Sequence, residues 1–169
     1  MQLTNDICVY EKFIEMIVHK CDNYKCVYTD GSKCPVINSV SSAVFVACSG
    51  LLVSCIPGNW IQGILFFWSE LYAIQRAIEI TNSMHELHFK NIVILTDSRT
   101  ACMLLLSPTG TYCSTIENIR SLLVKCNNKK SVKIQWINAH AGIKGNELAD
   151  RGVKDAHQKS DITMFSLCV

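Results

Sequence analysis

The chain has 169 residues, 49% of them hydrophobic and 18% charged, with a formal net charge of +2. That length argues for one domain able to bury a core without metal or disulfide staples, and that composition excludes a disordered chain. A balance so near neutral gives little bulk attraction for a polyanion, so charge alone argues for no partner.

Met1 to Tyr10 lacks the basic region and following apolar block of a secretory signal. A short helix is expected from Glu11 to His19, and a strand from Lys25 that ends at Asp30, where Asp30-Gly31 suits a tight turn. Ala43 to Trp68 is the longest apolar region, but Ser49-Gly50 and Pro57-Gly58-Asn59 cut it into pieces shorter than the roughly 20 residues that span a bilayer. Ser42 to Cys48 and Leu51 to Ile56, rich in Val, Phe and Ile, read instead as an antiparallel hairpin.

From Ser69 to Met84 a helix is predicted, with Ser69 as N-cap and an apolar stripe of Leu71, Ile74, Ala77 and Ile78 after Phe67. Asn91 to Thr96, NIVILT, is a short continuous apolar run, as a buried strand requires. A short helix follows from Ser98 to Leu106, closed by Ser107-Pro108 and Gly110. Ile116, Ile119, Leu122 and Leu123 give a helix over Thr115–Lys125; residues 132–137, VKIQWI, alternate as a strand; Asn146 to His157 forms the last helix. The order is that of an α/β fold in which an antiparallel hairpin feeds parallel crossovers.

The ten cysteines are scattered with no CxxC, and neither Cys21 with Cys26 nor His85 with His88 finds a second half for a zinc site. A reducing, intracellular compartment is expected, cytoplasmic or nuclear, for a chain neither secreted nor membrane-bound.

Four carboxylates fall at comparable places in this pattern: Asp30 and Asp97 at strand ends, Glu70 in the first turn of the long helix, Asp150 near the start of the last one. Singly, each has an ordinary explanation as turn residue, helix-dipole partner, cap or solvated acid. Together they lie where α/β sheets build sites, outside the carboxyl ends of strands. Such acids repel one another unless cations sit among them, and hard divalent ions with oxygen ligands suit the set.

YTDGSK at 28–33, SELYAI at 69–74, LTDSRTA at 95–101 and HAGIKGNELAD at 140–150 resemble, in order, the type 1 ribonuclease H domain, above all the form carried by non-LTR retrotransposon polyproteins. The resemblance implies a ribonuclease H-like α/β fold, a five-stranded mixed sheet flanked by helices, over residues 25–158. Residues 1–24 are then a helical extension and 159–169 a short tail. It implies Asp30, Glu70, Asp97 and Asp150 as metal ligands and His140 as a mobile proton-transfer residue. Two Mg²⁺ ions, about 4 Å apart and replaceable by Mn²⁺, would act on the RNA strand of an RNA/DNA hybrid, leaving 5′-phosphate and 3′-hydroxyl ends.

Gly31, Ser32, Ser98 and Thr100 are placed to read 2′-hydroxyls or hold phosphates, and Lys125, Lys129, Lys130 and Lys133 form either a basic contact or a solvated face. Three departures stand out: CPVINSVSS replaces a glycine-rich run, no basic protrusion separates the two middle helices, and Asn138 and Trp68 replace the usual Pro and small residue. A monomer is expected, with a reverse transcriptase of the same polyprotein as a possible partner. The alternative is a retroelement-derived domain that binds nucleic acid or that partner without cutting.

Overall fold

The computed structural model describes residues 24–34, 39–55, 65–84, 90–107, 114–127, 130–157 and 163–166. The helix expected at Glu11–His19 lies outside them. In chain order the elements are β1 (Lys25–Cys34), β2 (Ser39–Val46), β3 (Leu51–Cys55), α1 (Leu65–Ser83), β4 (Asn91–Thr96), α2 (Arg99–Leu106), α3 (Ser114–Asn127), β5 (Ser131–Trp136), α4 (Lys144–Ala156) and β6 (Thr163–Ser166).

One sheet runs β5-β4-β1-β2-β3-β6. β1 pairs antiparallel with β2 and parallel with β4, β5 joins β4 in parallel, and β3 completes the antiparallel meander. These five strands are the expected mixed sheet; β6, in the segment read as a tail, adds a further antiparallel strand at the β3 edge.

NIVILT shows why a continuous apolar run was needed. Ile92 and Ile94 join one core with Val27, Val44 and Val46 of the sheet and Leu71, Ile74, Ala77, Ile78, Ile116 and Ile119 of α1 and α3. Val93 and Leu95 face the other side, against Tyr28, Phe45 and Leu52 of the sheet and Ala149 and Val153 of α4. Helices cover both faces, so both alternating sets must be apolar.

Two of the boundaries that differ from expectation bear on the carboxylates, each for a packing reason. β1 does not stop at Asp30: its pairing with β2 continues to Cys34↔Ser39, which carries Asp30 and Gly31 inside the strand. α1 begins at Leu65 rather than at Ser69, because Phe67 and Trp68 pack against the first core, their rings 5.1 Å apart, and draw the helix back a turn. Ser69 is therefore a buried helix residue and not a cap.

α4 is held to the sheet from two sides. Ser41 of β2 donates its hydroxyl to the Val153 carbonyl at 2.9 Å. Gly145 lies so close to the Tyr28 ring that a Cβ there would overlap it. Gly145→Ala is expected to push α4 off β1 and to lower stability by about 1–3 kcal/mol in urea denaturation, with the loss reduced in a Tyr28→Leu background.

Candidate active site

The parallel pairing of β1 with β4 ends at Thr29↔Thr96, one residue short of Asp30 and Asp97. The next position on each strand carries a carboxylate, so the register itself sets these two acids side by side. Gly31 then decides how near α1 comes. A Cβ on Gly31 would stand 2.6 Å from the Glu70 backbone nitrogen and 2.6 Å from the Ser69 hydroxyl. Only a residue without a side chain lets the helix approach closely enough to bring in Glu70. Glu70, expected in the first helical turn, sits in the second because α1 starts earlier.

Asp30, Glu70 and Asp97 each present a carboxylate oxygen, and these oxygens lie within 4.8 Å of one another. Asp30 is 7% exposed and Glu70 2%, while Asp97 is partly open. The acids floor an open cavity of about 400 Å³. Gly31, Ser32, Ser98, Thr100, His140 and Asp150 also line it, whereas Lys125, Lys130 and Lys133 of the basic stretch do not, and Lys129 lies outside the described residues.

Asp150 differs from the other three acids. It lines the cavity from the second turn of α4, outside the close three-way cluster, and its Oδ2 lies 2.5 Å from the Lys154 ammonium one turn further on. His140 is exposed and takes a left-handed backbone (φ 50°), with Gly142 (φ 73°) just after it. Ser98 caps α2, its hydroxyl accepting from the Ala101 N–H.

Burial, first, and then the charges of Asp97 and Asp150 push the Asp30 carboxyl up to about 7, against smaller help from the Gly31 N–H and from Lys154. Glu70 is held well above the ordinary carboxylate range by burial, then by Asp30 and Asp97. Glu70 Oε2 is buried with no hydrogen-bond partner. A buried, unsatisfied oxygen among converging acids is the environment that a hard cation relieves, and an all-oxygen donor set fits such an ion.

Sequence reasoning passed over two residues that fix Asp97. Asn146, 3% exposed, donates its Nδ2 to Asp97 Oδ2 at 3.1 Å, and Trp136 donates its indole N–H to the Asp97 carbonyl at 3.0 Å. The first was detectable: Asn146 and Asp150 are four apart on one helix and so share a face. The second was not, since it needs the β4–β5 register that pairs Thr96 with Trp136. Arg99, also unremarked, stands at the cavity wall.

A family model described as RNase H matches residues 22–158, most of the chain. The chain belongs to the RNase H family. It is thus a domain of a nuclease family that acts on nucleic acid, and the acid cluster occupies the end of the sheet where this RNase H fold opens. Comparison with curated proteins finds no match. Among the described residues, no helix is long and apolar enough to cross a membrane.

The raised carboxyls tie stability to pH. Folded Asp30 keeps a proton that the unfolded chain releases near 3.8, so this contribution is fully present below that value and is lost as pH rises through about 7. Without divalent ions, the melting temperature should fall between about pH 4 and pH 7, and Asp30→Asn should flatten that dependence. Thermal denaturation in EDTA across the pH series measures both.

Proposed function

We propose that this domain is a metal-dependent endonuclease that hydrolyses the RNA strand of RNA/DNA hybrids. The observation that carries the reading is the convergence of Asp30, Glu70 and Asp97 from three separate segments, with a Glu70 oxygen buried and unpaired. A protein that only bound nucleic acid has no use for acids that repel both one another and a phosphate backbone.

Asp30, Glu70 and Asp97 would hold the deeper cation and Asp150 would serve at the rim. When bound, a pair of Mg²⁺ ions, or Mn²⁺ in their place, supplies Lewis-acid polarisation of the scissile phosphate and acidifies the attacking water. Asn146 and Trp136 keep Asp97 from turning, so the carboxylate meets the substrate in a set orientation. Water oxygen bonds to phosphorus and the bond to the 3′ oxygen breaks, which leaves a 5′-phosphate on one fragment and a 3′-hydroxyl on the other. His140, exposed at the mouth on a backbone flexed by Gly142, is suited to carry a proton to or from these oxygens.

Ser32 and Thr100 offer hydroxyls along the cavity wall, and the Gly31 and Ser98 backbones can approach phosphate or 2′-hydroxyl groups closely. The working unit in this reading is residues 25–158, with 1–24 and 159–169 outside it. The four sequence blocks support an origin in a non-LTR retroelement polyprotein, with a reverse transcriptase as neighbour. An intracellular, reducing setting agrees with Cys126, a buried free thiol whose sulfur accepts from Asn82 Nδ2 at 2.7 Å.

The test uses a labelled RNA/DNA hybrid beside double-stranded RNA and double-stranded DNA, with Mg²⁺ or EDTA. Cleavage of the hybrid alone is expected, abolished by the chelator and lowered more than about 10²-fold by Asp97→Asn. If wild type and Asp97→Asn bind the hybrid equally and neither cuts it, the domain is a binding module.

A further inference from the structure

The four acids of the cavity are not equivalent in their charge surroundings. At the deep end Glu70 Oε2 has no partner, whereas at the rim Asp150 Oδ2 already has a cation, the Lys154 ammonium at 2.5 Å. Residues 150 and 154 are one turn apart on α4, so the helix itself sets the ammonium beside the carboxylate with which α4 lines the cavity.

Resting on the metal-dependent reading above, we propose that Lys154 is a positioning residue whose ammonium occupies the Asp150 side of the site until a divalent cation displaces it. The Lys154 side chain is 62% exposed and Asp150 26%. An exposed pair of this kind is weak and can exchange. A strongly hydrated ammonium on a flexible stem can leave Asp150 for solvent without disturbing the helix. The site is therefore graded. A cation entering the Asp30, Glu70 and Asp97 cluster meets mutually repelling carboxylates that have no salt bridge among the described residues, whereas one engaging Asp150 must compete with a charge the chain supplies.

A cation titration of the whole chain without nucleic acid, followed by the rise in melting temperature with Mn²⁺ or Mg²⁺, tests this. Lys154→Gln should reach half of the rise at roughly three- to tenfold lower cation concentration, because one positive charge beside the site has gone. Lys154→Arg should keep the wild-type midpoint, as should Lys125→Gln, which removes the same charge from α3, a helix with no residue in the cavity lining. In an Asp150→Asn background, Lys154→Gln should no longer shift the midpoint, since its effect passes through that carboxylate. Equal midpoints in wild type and Lys154→Gln overturn the proposal, as does a melting temperature that no cation moves in any variant. Hybrid cleavage is scored alongside. A chain that takes up cation but does not cut sinks the nuclease reading and leaves the role of Lys154 standing; an active nuclease with an unmoved midpoint sinks that role alone.

Discussion

The site depends on one contact between backbones, the approach of α1 to β1 at Gly31. The helix backbone at Ser69 and Glu70 stands where any side chain on Gly31 would be. Because β1 stays paired antiparallel to β2 past this point, up to Cys34, the strand is held in place and does not yield to make room. A larger residue would move the helix, and the Glu70 carboxylate with it, away from Asp30. The strand register supplies the other half of the geometry by ending the β1–β4 ladder one residue before both Asp30 and Asp97.

That geometry is electrostatically unfavourable for the protein alone. Burial and mutual repulsion raise Asp30 and Glu70, and the fold tolerates them because both sheet faces are closed by extensive apolar cores. A structural role for these acids would call for partners, yet Glu70 Oε2 has none. Strained, under-satisfied groups gathered in a cavity are characteristic of sites whose missing component is a ligand.

Asp97 is the most firmly held of the acids. Its carbonyl accepts from the Trp136 indole and the Arg99 N–H, and its carboxylate accepts from Asn146. These restraints come from β5, α2 and α4, three separate elements. Asp150 and His140, by contrast, sit on the last helix and the loop before it, nearer to solvent. The site thus has a rigid floor and a more open rim, an arrangement that orders reacting groups below while letting a large polyanionic substrate enter and leave above.

The sequence by itself determined the α/β order, the buried character of NIVILT, the short helix that follows Asp97 and the candidate acids, because periodicity, helix punctuation and motif are local properties written in neighbouring residues. It placed the end of β1 and the start of α1 wrongly. Asp30-Gly31 has the local chemistry of a turn, but eight backbone pairings with β2 carry the strand through it. Ser69 has the chemistry of a cap, but the packing of Phe67 and Trp68 extends the helix past it. Only the tertiary structure decided that Gly31 is a spacer between backbones, that Asn146 and Trp136 brace Asp97, and that Asp150 stands outside the cluster of the other three acids. Each of those facts is a distance between segments remote along the chain, and such distances are set by sheet register and helix packing, which no local pattern records.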